Sequence, residues 1–319
     1  MNNKKVVVLG GGTGLSTLLR GIKNFPIDIT AVVSVSDDGS STGRLRQEFN
    51  IPAVGDIRRV LVSLAETEPL VEKVLNYRFK TNSELNGHTV GNLLLTAITN
   101  ISGNMSDGIE AIGSVLNLKG KVLPLTEDNV ILMGKMSDGR IIEGEHNITE
   151  SSGKIIDVFY KEKPVICESV IKAIKEADLI ICSMGSLYTS IIPNLISKDI
   201  INAIDESNAK IMYTCNMMTQ PGETDDFTII DHINALNRYL GNKKVDVVIA
   251  NNGEIKPEII EKYATLEQKD PVVLDKVQKE KLEKMNIKLI ENNYVILEDE
   301  LIRHNTIKLA IDIFTYLTL

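Results

Sequence analysis

The fold class follows from one stretch near the start of the chain, Val6-Val7-Val8-Leu9-Gly10-Gly11-Gly12-Thr13-Gly14-Leu15-Ser16-Thr17. Its apolar, β-branched beginning is typical of a parallel strand that is buried on both faces. The glycines allow backbone angles that other residues avoid, and from Leu15 onwards the apolar spacing changes to a helical period. A strand, a glycine turn and a helix in this order form an anion-binding cradle, because the helix dipole and free amide groups point at the loop.

This glycine loop is the first candidate ligand site. Its glycines would let a phosphate approach the backbone, and the hydroxyl groups beside them could donate hydrogen bonds. The dinucleotide fingerprint G-x-G-x-x-G fits only in part because Leu15 stands at the third glycine position, and no lysine follows at the spacing of a P-loop. A tight turn that binds nothing is the alternative interpretation. The predicted ligand contacts are Gly11, Gly12, Thr13, Gly14, Leu15 and Ser16.

Composition limits the classes of protein to which the chain can belong. With 319 residues, 43% of them hydrophobic and 24% charged, it is long enough for a full core, and we expect one domain over 1–319. A net charge of −8 argues against general binding of nucleic acid or of anionic membranes. A homo-oligomer is compatible with this composition. Three widely spaced cysteines form no metal-binding pattern and indicate reduced thiols. Because no apolar run reaches the length of a membrane span, we expect a cytoplasmic protein.

A second predicted strand, 29–35, ends in an acidic turn that contains Asp37 and Asp38. In dinucleotide-binding folds an acidic residue about 20 positions after the glycines binds the ribose hydroxyls, and both aspartates stand near that distance. Adjacent carboxylates followed by small hydroxyl residues could equally hold a divalent metal, so Mg²⁺ is the candidate cofactor. Arg44 and Arg46 would then balance the charge of a bound anion. An acidic turn without a ligand is the alternative.

Two more polar segments precede helices in the first half of the chain. We expect Asp56 to cap a helix whose first turn carries Arg58 and Arg59, where cations oppose the helix dipole and so indicate a nearby anion, solvated arginines being the alternative. Asn92 closes the polar segment 86–92, in which His88 is expected to make loop hydrogen bonds. Short predicted strands follow at 122–124, 130–136, 140–148 and 155–160, which indicates a small β-rich insertion around 120–160.

In the second half, three predicted strands, 178–182, 210–214 and 245–250, each end in a polar loop that contains glycine. The carboxyl ends of the strands in a doubly wound sheet line one crevice, and ligands bind there. The predicted fold class is therefore α/β, with a Rossmann-like, doubly wound and mainly parallel sheet. A final helix over 305–319 is expected to have an apolar side formed by Ile307, Ala310, Ile311, Phe314 and Leu317.

A set of motifs, taken together and in order, resembles one known family along nearly the whole chain. The motifs are Gly11-Gly12-Thr13-Gly14, Ser36-Asp37-Asp38-Gly39 with Gly43-Arg44-Leu45-Arg46, Gly55-Asp56-Ile57-Arg58, His88-Thr89-Val90-Gly91-Asn92, Gly185-Ser186-Leu187-Tyr188-Thr189-Ser190 and Met218-Thr219-Gln220-Pro221-Gly222-Glu223-Thr224. The family is that of the bacterial gluconeogenesis factors (YvcK-like), which are relatives of 2-phospho-L-lactate transferase (CofD-like).

The resemblance implies a Rossmann-like core and a cytoplasmic protein that is needed for normal cell shape and for growth on gluconeogenic carbon sources. It also implies that the protein binds a UDP-sugar, either UDP-N-acetylglucosamine or UDP-glucose. By similarity, Tyr263 and Arg303 contact this ligand. The other ligand residues expected from the motifs and the strand-end loops are Asp37, Asp38, Arg44, Arg58, Asn92, Gly185, Ser186, Leu187, Tyr188, Asn216, Thr219, Gln220, Gly222, Glu223 and Thr224.

Two enzymatic functions compete with this interpretation. The transferase relatives use a divalent metal, so a metal-dependent transferase of nucleotide-activated groups is the alternative, with the metal on Asp37 and Asp38. The continuation Asp-Gly-Ser-Ser-Thr-Gly-Arg matches the gluconeogenesis-factor branch and counts against transferase activity. An NAD-dependent dehydrogenase would rest on the glycine loop alone. The sequence shows no coupled nucleophile and base, so catalytic residues stay unassigned and we expect binding without turnover.

Overall fold

The computed structural model describes residues 3–298 and 301–319, which form one large parallel sheet, two small antiparallel sheets and the helices around them. The strands are β1 (Lys4–Gly10), β2 (Ile27–Val33), β3 (Lys121–Pro124), β4 (Leu132–Met136), β5 (Ile141–Glu143), β6 (Ile155–Tyr160), β7 (Leu179–Cys182), β8 (Lys210–Thr214), β9 (Val247–Asn251), β10 (Lys288–Asn292), β11 (Val295–Glu298) and β12 (Leu301–His304). The helices are α1 (Gly12–Ile22), α2 (Ser40–Phe49), α3 (Val54–Leu64), α4 (Pro69–Asn76), α5 (Val90–Ser102), α6 (Met105–Val115), α7 (Glu145–Glu150), α8 (Glu168–Lys175), α9 (Lys198–Glu206), α10 (Ile229–Asn237), α11 (Pro257–Glu267), α12 (Lys276–Lys284) and α13 (Thr306–Thr318).

The large sheet has the strand order β10-β9-β8-β7-β1-β2-β3, and its strands are parallel. This confirms the expected α/β, doubly wound fold. Strand β1 lies between β2 and β7, with Val6 opposite Ile29 on one side and Leu179 on the other. Its apolar residues are buried because helices cover both faces of the sheet, which explains the uninterrupted β-branched run.

The strand order reverses at β1, since β2 and β3 lie on one side of it and β7 to β10 on the other. The carboxyl ends of β1, β7, β8 and β9 therefore meet at one edge of the sheet, at the position where open α/β sheets bind their ligands. Within the described residues, no helix is long and apolar enough to cross a lipid bilayer.

The β-rich insertion is smaller than the sequence predicts. Strand β3 is not part of it, because β3 pairs in parallel with β2 and forms an edge of the large sheet. The insertion sheet has the antiparallel order β5-β4-β6. The predicted strand 140–148 is also wrong in part, since only Ile141–Glu143 is extended and helix α7 follows it.

Asn104 caps helix α6, because its side chain accepts the Asp107 N–H. One expectation about a helix needs correction. In α13 the buried residues are Leu309, Ala310 and Ile313, whereas Ile307 and Ile311 are exposed. Ala310 is buried as predicted, and Phe314 and Leu317 pack partly buried against the core, so the predicted apolar side is wrong at Ile307 and Ile311.

Helix α13 packs closely on helix α1, next to the glycine loop. The contact centres on Gly21, where a Cβ atom would lie 2.2 Å from the Thr306 carbonyl oxygen and 3.2 Å from the Ala310 side chain. A glycine is required there because any larger residue would push the two helices apart. The last described helix thus covers the first.

Candidate functional site

The glycine loop lies where the helix dipole of α1 meets the loop after β7. Gly11 is extended and precedes helix α1 without a side-chain cap, and in the first turn the Gly12 amide is approached by the Asp56 carboxylate. A Cβ atom at Gly14 would lie only 1.6 Å from the Met184 carbonyl oxygen, so this position must be glycine for the two loops to approach. Ser16 is buried and donates its hydroxyl to the Gly12 carbonyl, and Thr13 is exposed. Leu15 is buried in the core, which leaves only its backbone for a ligand.

The side chains of Asp56 and Arg59 lie against the other side of the glycine loop. Gly12 donates its N–H to the Asp56 carboxylate, and Arg59 donates to the same carboxylate at 3.2 Å. The Arg59 guanidinium also reaches within 3.6 Å of the Cβ position of Gly12. Burial, together with the nearby Asp37 carboxylate, raises the pKa of Asp56 to about 6. The expectation that Asp56 caps α3 was wrong, because Ala53 precedes that helix and Asp56 lies inside its first turn.

The two aspartates after β2 have different surroundings. Asp37 accepts the Gly39 N–H at 2.9 Å, and its second oxygen lies 3.1 Å from the Cβ position of Gly55 at the start of α3. Asp38 instead accepts the His146 N–H at 2.8 Å and lies against Gly144, at the beginning of helix α7. The Asp37 carboxylate is close enough to Asp56 for the two charges to interact, while Asp38 is bonded to the insertion.

Helix α7 brings a further carboxylate, Glu145, to the same edge of the sheet. The pKa of Glu145 is raised to about 8, mainly by burial and then by the carboxylates of Asp37, Asp56, Asp38 and Glu223, in that order. Asp37, Asp56, Glu145 and Glu223 are called the acidic cluster below. Because each of these charges repels the others, the cluster favours a positive or proton-bearing group among them.

The loop after β7 carries four predicted ligand residues. Gly185 donates its N–H to the Asn216 side chain at 3.1 Å and accepts from it at 2.7 Å, and the Ser186 hydroxyl donates to Gln220 at 2.7 Å. Residues 187–191 form a π-helical turn. The side chains of Leu187 and Tyr188 are buried, so these two residues can offer a ligand little beyond their backbone.

The loop 216–224 after β8 is held by hydrogen bonds within the loop and by bonds to the segments around it. Glu223 is buried and accepts from the Tyr188 N–H at 3.1 Å, the Thr189 hydroxyl at 3.1 Å and the Gln220 amide at 2.9 Å. Burial raises its pKa. Two more predicted residues, Thr219 and Thr224, are buried and accept backbone N–H groups through their hydroxyls. Gly222 contacts the insertion, where its carbonyl accepts the Ile155 N–H. These side chains position the loop.

Tyr263 and Arg303 are brought together by the strand β12. The Ile302 N–H donates to the Tyr263 hydroxyl at 2.8 Å, and both residues pack with Met217 from the loop after β8. His304 is bonded to the Cys215 carbonyl at 3.3 Å. Arg303 lies half-buried between Ile302 and His304, whose bonds fix the strand on either side of it. The Arg303 side chain forms no hydrogen bond or ion pair with another described residue. This guanidinium, which has no partner among the described residues, lies beside the carboxyl end of β8.

Three of the predicted ligand residues lie away from the glycine loop, on the other side of α3. They are Arg44, Arg58 and Asn92. Arg58 is buried and donates to Asn92 at 2.9 Å, and Asn92 in turn donates to the Ser41 hydroxyl. Arg44 donates to the Asn86 carbonyl at 2.5 Å. The expected loop bond of His88 is present, to the Ser41 hydroxyl at 2.9 Å. Arg59, rather than Arg58, is the arginine that faces Gly12.

Arg46 has a structural role. Its buried guanidinium donates to the carbonyls of Ser36 and Asp37 at 3.0 and 2.9 Å, and to the Asn129 side chain. It thereby fixes the backbone from which Asp37 projects.

The carboxylates do not form a complete metal site. Among residues 3–298 and 301–319, no three His, Cys, Asp or Glu side chains stand close enough together to hold a metal ion. Asp38 is engaged by α7, so Asp37 and Asp56 are the pair that would offer oxygen ligands to Mg²⁺. The Mg²⁺ site stays a prediction.

Comparison with known proteins decides the family. The family model for 2-phospho-L-lactate transferase CofD matches residues 6–295. The chain belongs to the CofD family. Within the CofD family it is similar to two proteins named gluconeogenesis factor, one from Bacillus subtilis (45% identity, 96% of both chains) and one from Halalkalibacterium halodurans (44% identity, 97% of this chain and 95% of the relative).

A solved structure from the same family has the same fold. A crystal structure of a Bacillus halodurans protein is 44% identical and covers 98% of this chain and 99% of its own, with a TM-score of 0.93. A second crystal structure from that organism, described as a member of the UPF0052 family, has a TM-score of 0.92 and 44% identity over 97% of this chain and 99% of its own. The resemblance inferred from the motifs is thus confirmed at the level of the family.

Two residues of the site in this CofD-family chain, Arg59 and Glu145, were not predicted from the sequence. Arg59 was named only as part of a basic pair, and nothing in two consecutive arginines tells which one faces the loop. Glu145 was assigned to a strand of the insertion, although the segment Gly144-Glu145 before a short polar stretch is typical of a helix start.

Proposed function

We propose that this protein is a UDP-sugar-binding gluconeogenesis factor of the cytoplasm, needed for normal cell shape and for growth on gluconeogenic carbon sources. The single observation that carries the binding proposal is Arg303, a half-buried guanidinium without a partner among the described residues, beside Tyr263 at the carboxyl end of β8. An unpaired arginine in a partly enclosed position suits the diphosphate or a uracil carbonyl of a nucleotide sugar.

Two further features support this proposal. The uncapped first turn of α1 and the Arg59 guanidinium supply donors for a diphosphate at the same edge of the sheet. The polar groups of Asn216, Ser186 and Gln220 line the neighbouring loops and suit the hydroxyls of a sugar. The two similar proteins named gluconeogenesis factor support the gluconeogenic part of the proposal.

Thermal unfolding tests the proposal directly. Melts with UDP-N-acetylglucosamine, UDP-glucose, NAD and GDP should show stabilisation by a UDP-sugar, worth about 2.7 kcal/mol at a hundred times the dissociation constant. Arg303→Ala should abolish this shift, while the unliganded melt stays nearly unchanged because Arg303 has no bond to another described residue to lose. Arg140→Ala is the matched control, since Arg140 is exposed, pairs with Asp138 in the insertion and should leave the shift intact. Stabilisation by NAD alone would contradict the proposal.

A metal-dependent transferase is the second candidate, and the interacting carboxylates of Asp37 and Asp56 favour it together with the match to the transferase family model. Such a metal would neutralise phosphate charge when bound. Incubation of the protein with Mg²⁺ and a UDP-sugar, followed by chromatography, separates the two candidates. We expect intact UDP-sugar, and a cleaved product would favour the transferase.

A further inference from the structure

Three arginines from three different elements converge on the turn 86–92, which leads into helix α5. Arg44 of α2 donates to the carbonyls of Asn86 and Glu84, at 2.5 and 3.3 Å. Arg78, which follows α4, donates to the Gly87 carbonyl. Arg58 of α3 donates to the Asn92 side chain. Arg44, Arg58 and Arg78 are called the basic corner below.

Each hydrogen bond of the basic corner goes to a neutral oxygen. Within the described ranges, none of the three guanidiniums forms an ion pair with a carboxylate. The carboxylate whose charge acts on Arg58 is that of Asp56, which already accepts from Arg59 and from the Gly12 N–H. The three guanidiniums therefore form no ion pair with a described carboxylate, although the charge of Asp56 acts on Arg58 and that of Glu48 acts on His88.

This arrangement is unfavourable for the isolated protein. Burial lowers the pKa of Arg58 to about 10, and repulsion from Arg59 and Arg78 contributes to the shift. Burial also lowers the pKa of His88, with Arg44 and Arg78 adding to the effect. A chain with 43 acidic and 35 basic residues has ample carboxylates with which to pair these groups. Guanidiniums gathered without a counter-ion are typical of a site that receives its anion from outside.

The surroundings of the corner are fixed in place. The Ser41 hydroxyl is bonded to His88 and to Asn92, and the Thr89 hydroxyl caps α5 by accepting the Asn92 N–H. The dipole of this 13-residue helix adds positive potential at the turn. Arg58 lies at the buried base of the corner, whereas Arg44 and Arg78 are exposed at its rim.

We propose that the basic corner binds the phosphate group of a small anionic metabolite, at a site separate from Arg303. Guanidiniums match the geometry of phosphate oxygens, and three of them from three elements give a local site rather than an extended basic surface. The overall charge of −8 excludes a general nucleic-acid interface, which leaves a small ligand. This proposal does not depend on UDP-sugar binding.

Calorimetric titration with inorganic phosphate at low ionic strength tests the site. The double variant Arg44→Gln/Arg78→Gln should bind phosphate about tenfold more weakly than the wild type, because two charge-assisted donors are lost. Arg58 is left in place, since it is buried and its loss could affect folding. Arg140→Gln, an exposed arginine of the insertion, is the matched control and should bind as the wild type does.

Two further variants separate this site from the glycine loop and from Arg303. Arg303→Ala should bind phosphate as the wild type does, whether or not it binds a UDP-sugar. The proposal is wrong if the double variant retains wild-type affinity for phosphate, or if Arg59→Gln alone abolishes binding, which would assign the phosphate to the glycine loop.

Discussion

The acidic cluster and the basic corner each gather charges of one sign, but they bury those charges to different degrees. Asp56 and Glu223 are buried, and burial raises the pKa of each together with that of Glu145. In the basic corner only Arg58 is buried, while Arg44 and Arg78 reach solvent. Since water screens exposed charges, the same degree of crowding costs more stability among the acids than among the arginines.

This comparison shows that two carboxylates of one cluster can have opposite effects on stability. Glu223 accepts three hydrogen bonds, and Glu145 accepts one weak bond from Thr149 at 3.5 Å. The hydrogen bonds of Glu223 offset the cost of its burial. The single weak bond of Glu145 does not offset the cost of burying Glu145. We therefore expect Glu145 to be retained for function although it lowers the stability of the protein.

The largest effect is expected for Glu223→Ala, which removes the carboxylate that holds the turn 187–191. The Tyr188 N–H, the Thr189 hydroxyl and the Gln220 amide would lose their acceptor, and the free energy of unfolding should fall by about 3 kcal/mol. Urea unfolding measures this change. An unchanged midpoint would show that Glu223 has no stabilising role and would remove the contrast with Glu145.

A smaller effect of opposite sign is expected for Glu145→Gln. The pKa of Glu145 is raised from 4.5 to about 8 in the folded protein, so the folded state binds a proton that the unfolded chain has released. The wild type therefore loses stability as pH rises from 4.5 to about 8. The glutamine variant lacks this loss and should be more stable by about 2 kcal/mol at about pH 9.

At about pH 4.5 the Glu145→Gln variant and the wild type should unfold alike, because both then carry a neutral side chain. Urea unfolding at the two pH values tests this. The control is Glu143→Gln, since Glu143 is in the same insertion but is exposed and paired with Lys161. Equal stability of Glu145→Gln and wild type at both pH values would contradict the assignment of Glu145 to the acidic cluster.

The smallest effect is expected in the basic corner. Arg44→Gln should change the free energy of unfolding by less than about 0.5 kcal/mol. Arg44 is exposed, and water can replace its bonds to the carbonyls of the turn that leads into α5. Thermal unfolding measures it. A loss of unfolding free energy comparable to that of Glu223→Ala would show that Arg44 stabilises the fold. The arginines of the basic corner would then be explained without a bound anion.

The sequence predicted well what depends on local pattern. The apolar, β-branched runs before Gly10 and at 179–182 were correctly assigned to buried parallel strands, because such runs fit only the interior of a sheet. The meeting of the strand-end loops followed from the rules of doubly wound sheets. Strand β3 was misassigned because its four residues show no pattern that separates a sheet edge from an insertion, and its partner β2 is distant in sequence.

The misses in the site arise from rotations and contacts that a local pattern does not encode. Arg58 and Arg59 lie on different sides of α3, and which of them faces Gly12 depends on how a helix buried on nearly all sides is rotated. The buried side of α13 was likewise set by its contact with Gly21 of α1. For Tyr263, nothing in the sequence predicts that its hydroxyl accepts from the Ile302 backbone.

The contact between α1 and α13 has a consequence for how the chain reaches its native state during synthesis. Helix α1 leaves the ribosome early, yet the surface that covers Gly21 is translated only with Thr306 and Ala310. Strand β1 likewise waits for β7, which is more than half a chain away. Until those later segments are synthesised, helix α1 exposes its apolar side and β1 keeps an unpaired edge, which makes this part of the nascent chain prone to aggregation.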